Sequence, residues 1–379
     1  MIKILITGDF CPINRVEGVV LGGEFSGLLK DFLPVIQNSD LAITNLECPL
    51  TDNQEVISKT GPALRASTQV GKLLSQAGFN LVTLANNHIM DFGHDGLVST
   101  FKVLEGNYIS YVGAGNTLQD AKRPFQTKLN GKSIAIINIA ENEFSTTHGD
   151  YPGANPLSII SNYHAIIDAK SNNDSVIVIY HGGNEGYNLP SPRLKETLRF
   201  FVEAGASAVV AHHSHRYSGY EIYNDSPIFY GLGNFLFDYK DNTGIEWQHG
   251  IALLIEIESD NTYFEIVPIS QCDSESIGVR IMNDTEKQSV LDKIRELNLI
   301  IADDYELGKK FQSFIKIKEK QYQHFLEPHS IKLLHGLMGR GYLPTMLSKE
   351  KRKLYLNLFR CESHRDVILR ILEDENRHS

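Results

Sequence analysis

From Ile2 to His215 the chain repeats one pattern: a short apolar run, a polar cluster, then a segment with apolar residues at helical spacing. Ile2 to Ile6 leads into Gly8-Asp9, Leu41 to Ile43 into Asn45-Leu46-Glu47, and Leu81 to Leu84 into Asn86-Asn87-His88. Val176 to Ile179 leads into His181-Gly182-Gly183, and Ala208 to Val210 into His212-His213-Ser214-His215. Val70, Leu73, Leu74 and Ala77 step as a helix that stops at Gly78. Ser191-Pro192 offers a cap and a first position for a helix through Leu194, Leu198, Phe201 and Val202 that stops at Gly205. Strands alternating with helices predict an α/β sheet.

From Gly250 the pattern becomes two longer runs around Ser259-Asp260-Asn261, which predict an antiparallel pair. Beyond Asn283 it turns helical, with Leu291, Ile294, Leu297 and Ile301, then Leu307, Phe311 and Phe314, at three- and four-residue steps. The predicted organisation is a domain over 1–282 and a helical C-terminal region over 283–379.

The 379 residues fit about two domains of usual size. With 42% hydrophobic and 22% charged residues, the composition excludes disordered and fibrous classes. Cys11, Cys48, Cys272 and Cys361 show no CxxC spacing, which favours a reducing compartment or unpaired thiols. No run approaches the ~20 apolar residues of a membrane span, so no integral membrane segment is expected. The first apolar run is too short for a secretory signal, and a strand starting at Ile2 leads us to expect a cytoplasmic protein.

The net charge of −10 argues against nucleic acid as a partner. It is uneven: after residue 280 there are 18 Lys and Arg against 15 Asp and Glu, so the tail carries +3 and the rest −13. Lys349-Glu350-Lys351-Arg352-Lys353 reads as a solvated helix face, with an anionic polymer or membrane surface as the alternative. Leu354, Leu356, Leu358 and Phe359 beside it suggest docking on the first domain, on a biosynthetic partner or on a second copy.

The chemistry lies at the strand ends. In an open α/β sheet the carboxyl ends of strands converge on one edge, which makes Asp9, Glu47, Asn87, His181, His213 and His215 candidates for one site. Oxygen and imidazole in that mixture suit a pair of divalent transition ions, Mn, Fe or Zn, bridged by a carboxylate. Two ions ~3.5–4 Å apart activate water and clamp the oxygens of a phosphoester. Singly, each residue also reads as an ordinary turn or loop position. The cluster at 212–215 is denser: alternation along an extended segment puts His213 and His215 on one side and gives His212 a structural role.

Taken in order, Gly8-Asp9, Asn45-Leu46-Glu47, Leu84 to His88 with Asp91-Phe92-Gly93, His181 to Glu185, Ala211 to His215 and Tyr230 to Phe235 resemble the motif set of the poly-gamma-glutamate capsule-synthesis (CapA) family. The likeness runs from about Ile2 to Val267. That family resembles the calcineurin-like metallophosphoesterases, so the resemblance implies a four-layer αββα sandwich with two metal ions at strand ends and a C-terminal helical appendix outside it. It implies Asp9, Glu47, Asn87, His181, His213 and His215 as ligands, with Glu47 as the bridge. It also implies His88 as the general acid with Asp91 orienting it, and Asn45, Glu185 and Asn234 as supporting or substrate-facing residues.

The implied activity is metal-dependent hydrolysis of a phosphoester, on an anionic polymer or a phosphorylated small molecule. The alternative is an accessory protein of capsule assembly that binds polymer or partner without turnover. Two departures bear on this. A full phosphoesterase has His two residues after the first Asp, where this chain has Cys11, either a soft ligand or a buried packing residue. The bridging position holds Glu rather than Asp. Together they point to one ion held weakly or absent.

Overall fold

The computed structural model describes residues 1–23, 25–239, 244–258, 261–273, 277–326, 332–340, 342–343, 346–360, 363–365, 367–368 and 372. Its strands are β1 (Ile2–Cys11), β2 (Leu41–Leu46), β3 (Leu81–Thr83), β4 (Ser110–Val112), β5 (Ala114–Gly115), β6 (Phe125–Leu129), β7 (Lys132–Ala140), β8 (Gly153–Ala154), β9 (Ser175–His181), β10 (Ala208–His212), β11 (Tyr220–Tyr223), β12 (Ser226–Phe229), β13 (Asn234–Phe237), β14 (His249–Glu258), β15 (Asn261–Gln271) and β16 (Val279–Ile281).

One sheet runs β16-β15-β14-β1-β2-β3-β4, with β13 also pairing with β1; the second runs β11-β12-β10-β9-β7-β6. In both, the central parallel strands are buried on both faces, which is why they read as continuous apolar runs. Ile4, Ile6, Ile43 and Leu81 of the first sheet share a core with Ile134, Ile136, Ile177, Ile179 and Val210 of the second, so the sheets pack face to face.

Leu5, Ala42 and Val82 turn the other way, onto Leu73, Leu74, Leu97 and Phe101 of the helices Val70–Ala77 and Gly93–Gly106. Val176, Val178 and Val209 face Ile166, Leu198 and Phe201 of Ile159–Asn172 and Pro192–Glu203. The result is the four-layer αββα sandwich. The predicted stops hold locally: Gly78 has φ +101°, Gly205 has φ +114°, and the Ser191 hydroxyl accepts from the Leu194 N–H at 3.1 Å.

The chain divides into two compact units, Met1–Gly308 and Lys309–Ser379. The first includes the helix Asp284–Ala302, which hydrophobic patterning groups with the tail; Val290, Ile294, Leu297 and Ile301 bury it against the sandwich. Asn283 and Glu286 form a capping box at its start. The second unit contains the helices Lys332–Gly339 and Lys349–Arg360. Residues 259 and 260 of the predicted turn, and Cys361, lie outside the described residues. Among the described residues no helix is long and apolar enough to cross a membrane.

Candidate metal centre

Sequence reasoning placed the polar strand ends on one open edge. The structure divides them between two sheets: Asp9 lies near the end of β1 and Glu47 and Asn87 follow β2 and β3, whereas His181 ends β9 and the 213–215 turn follows β10. They meet because the sheets face each other with their carboxyl ends on the same side.

Close backbone approach makes the meeting point. The Asp9 N–H donates to the Gly233 carbonyl at 3.0 Å, and a Cβ on Gly8 would stand 2.0 Å from that oxygen. Only glycine fits there. Register shifts beside Asp9, against both β2 and β13, swing its carboxylate into the gap between the sheets.

The histidine turn converges by a route different from extended alternation. β10 ends at His212, and His213 and His215 then take left-handed backbones with φ +90° and +54°. Such conformations cost of order 1–3 kcal/mol in a non-glycine residue and persist where the surroundings hold them. His212 turns away and donates from Nε2 to the Thr7 carbonyl at 3.0 Å.

Two groups of three side chains result, Glu47 with His181 and His213, and Asp9 with Glu47 and His215. Within each, the potential ligand atoms all lie within 4.8 Å of one another, and every residue is buried. Asn87 joins the first group, its Oδ1 3.0 Å from His181 Nε2. Glu47 belongs to both. Its Oε1 lies 3.6 Å from His181 Nε2 and 3.7 Å from His215 Nε2, yet neither oxygen has a hydrogen-bond partner among the described residues. A buried carboxylate left unpaired is expensive, and a bound cation would remove that cost. The residues of the two groups therefore fit divalent metal.

The electrostatics agree. Burial, reinforced by the charges of Asp9 and Glu185, pushes the Glu47 carboxyl well above its ordinary pKa. Burial also opposes ionisation of Asp9, but the bond to His215 and the neighbouring imidazoles outweigh it and hold that carboxyl below the usual range. His181 is pushed well down by burial and by His213, which leaves a neutral imidazole able to ligate. Against the burial effect, Asp9 raises the pKa of His215.

Supporting contacts fix the rings. Asn234 Oδ1 lies 3.0 Å from His215 Nδ1, and Asn45 Nδ2 spans Asp9 Oδ1 at 2.8 Å and His181 Nδ1 at 3.2 Å. Trp247 and Phe237 pack on His215 with ring centroids 4.7 and 5.4 Å away, closing that side to water. Glu185 is exposed, and its charge reaches Glu47 and His215. Cys11 is fully buried in the apolar core beneath β1, belongs to neither group of three, and has its thiol pKa raised by burial and by Cys48.

His88 stands beside this centre with Nδ1 2.6 Å from Asp91 Oδ2, and Asp91 also accepts from the Leu64 N–H at 2.7 Å. Burial lowers the pKa of His88, and Asp91 only partly offsets it. Several residues here escaped sequence reasoning. Asn86 accepts from the His88 N–H at 3.1 Å and donates to the Leu46 carbonyl at 2.8 Å, while Ser145 bridges Asn87 and Met90. Glu143 Oε1 is 3.7 Å from His213 Nε2, and Lys59 bonds Asp91. Only Asn86 carried a sequence signal, its place in the Asn86-Asn87-His88 motif.

Face-to-face sheets with nitrogen and oxygen donors at their shared carboxyl edge define a metallophosphoesterase-like protein. A family model, the bacterial capsule synthesis protein PGA_cap, matches residues 3–239, and the chain belongs to that family, a member of the metallophosphoesterase-like superfamily. It is 28% identical over 310 residues to the capsule biosynthesis protein CapA of Bacillus anthracis, covering 77% of this chain and 75% of that one. To the PGA biosynthesis protein CapA of Bacillus subtilis it is 30% identical over 300 residues, covering 76% of each. A probable polyglutamine synthesis accessory protein of Mycobacterium tuberculosis is 28% identical over 257 residues, covering 63% of this chain and 67% of that one.

Proposed function

We propose that this protein is a metal-dependent hydrolase of a phosphoester that serves the synthesis or processing of an anionic cell-envelope polymer of the poly-gamma-glutamate kind. The observation that carries the reading is Glu47, buried between two ligand groups and without a hydrogen-bond partner among the described residues. Glu47, His181, His213 and Asn87 would hold one ion, and Asp9, Glu47 and His215 the other. Bound Mn, Fe or Zn would supply an ionised water at neutral pH and positive charge for the phosphoryl oxygens.

The protein's own part follows from the contacts. With Nδ1–H engaged by Asp91, His88 presents Nε2 to the site, where it takes up a proton and, as the imidazolium, hands it to the leaving oxygen. Asp91 keeps the ring in the orientation that this transfer needs. The family's tie to capsule synthesis supports a substrate that is an anionic polymer or a phosphorylated small molecule. Exposed Leu354, Leu356 and Phe359 on the helix Lys349–Arg360 support contact with a biosynthetic partner or a second copy.

Metal analysis of the purified protein, with a screen of phosphate monoesters and diesters, tests the main reading. Retention of a transition metal and turnover that needs Asp9 and His213 is the expected result; neither metal nor such turnover removes it. A second reading, an accessory protein without turnover, is favoured by Cys11, which is buried in the core where related enzymes place a ligand. It gains if His88→Ala abolishes hydrolysis yet leaves capsule assembly intact.

A further inference from the structure

Between β2 and the helix Val70–Ala77, residues 51–65 cross the Asn86–Gly93 turn without regular structure of their own. They are stitched to Asp91. The Ile57 N–H donates to the Asp91 carbonyl at 3.1 Å, the Leu64 N–H donates to Asp91 Oδ2 at 2.7 Å, and the Lys59 ammonium bonds Asp91 Oδ1. Lys59 is unusual for a loop lysine: its side chain is only 6% exposed, and Nζ also lies 3.4 Å from His88 Nδ1. Lysine is almost never buried unless paired, because desolvating the ammonium costs several kcal/mol.

We infer that Lys59 is a positioning residue of the catalytic site: by occupying Asp91 Oδ1 it aims Oδ2 at His88 Nδ1 and so holds His88 in the tautomer that leaves Nε2 for substrate. This rests on the hydrolase reading above. Among the described residues, three side-chain or backbone donors surround the two carboxylate oxygens of Asp91. The Leu64 N–H and His88 share Oδ2, and Lys59 alone is given to Oδ1. Without Lys59 the carboxylate can rotate and the imidazole loses its fixed partner. An ion pair that merely anchored the loop would need no such closeness to His88, since Ile57 and Leu64 already tie the loop to the same residue.

The test uses the full chain with zinc present, labelled with ¹⁵N-histidine, and compares Lys59→Met with the wild type. One measurement is the long-range ¹H–¹⁵N signature of the His88 ring, assigned by its loss in His88→Asn. The other is kcat and KM on phenyl phosphate and diphenyl phosphate, whose leaving oxygen gains from protonation. The inference expects a Nδ1-protonated ring in the wild type and a mixed tautomer in Lys59→Met. It also expects kcat to fall about 10- to 100-fold with KM changed by less than about twofold.

Because Lys59→Met strands a buried carboxylate, the same substitution is repeated on Asp91→Asn, where no further change beyond about twofold is expected. A wild-type ring signature with unaltered kcat in Lys59→Met overturns the inference, as does an equal loss in the Asp91→Asn background. If the wild type turns over neither ester, the hydrolase reading falls, and the ring signature alone decides the role of Lys59.

Discussion

His215 Nδ1 lies 3.0 Å from Asn234 Oδ1, and the same Asn234 donates through Nδ2 to the Trp247 carbonyl at 3.1 Å. The asparagine thus ties one candidate ligand to the strand pair β1–β13 and to the aromatic wall beside it. Replacing it by alanine frees the ring without removing any ligand atom. Metal affinity of the Asp9, Glu47 and His215 group is expected to fall about 10- to 100-fold in Asn234→Ala, measured by competition with a chelator. Unchanged affinity would mean that His215 is held by other means.

The two ions are expected to bind unequally. One group has four donor residues, Glu47, Asn87, His181 and His213, whereas the other has three, with Cys11 turned into the core. Calorimetric titration of metal-free protein with manganese or zinc should resolve a tight and a weaker step. A single step of stoichiometry two contradicts this.

Glu47→Gln should separate the cost of the site from its use. The Glu47 carboxyl has a folded pKa well above its ordinary value, so its effect on metal-free protein favours folding below about pH 4.5 and is lost as pH rises through the folded pKa. At pH 7 the metal-free variant is therefore expected to melt at or above the wild-type temperature. Added metal should raise the Tm of the wild type and leave that of Glu47→Gln nearly unmoved. Scanning calorimetry with and without a chelator gives both numbers, and equal metal stabilisation in the two proteins refutes the bridging role.

His88→Asn is expected to lower kcat about 100- to 10,000-fold while leaving metal content unchanged. Burial holds the pKa of His88 below 6.5, so the acid form gains population only as pH falls under that value. A kcat limb that rises towards low pH in the wild type and is missing from the variant is the signature; identical profiles would exclude His88 as the proton donor.

Gly8→Ala tests the backbone contact that creates the site. The added Cβ would stand 2.0 Å from the Gly233 carbonyl oxygen, so β1 and the 233–234 turn must separate. A loss of about 1–3 kcal/mol by chemical denaturation is expected, together with weaker metal binding, because Asp9 and Asn234 move apart. Gly18→Ala, in a helix where a Cβ meets nothing within 4 Å, is the control.

The apolar runs of β1, β2, β9 and β10 were legible because strands buried on both faces carry little but aliphatic residues, and Gly78 and Gly205 marked helix ends because they adopt left-handed backbones. β7 and β13 escaped that reading. β13 is only four residues long, and the polar Asn138 that interrupts β7 serves an internal bond, accepting from the Ala85 N–H at 2.6 Å.

Residue type and spacing along the chain set the alternation of strand and helix, the kinds of donor atom at the strand ends and, through their order, the family resemblance. Those are local properties. Tertiary structure alone decided that the donors come from two facing sheets, that His213 and His215 converge through left-handed backbones, and that Cys11 points into the core. It also brought Lys59 and Glu143 from separate loops to Asp91 and His213. Such contacts arise from how sheets pack and loops cross, and no periodicity along the chain encodes them.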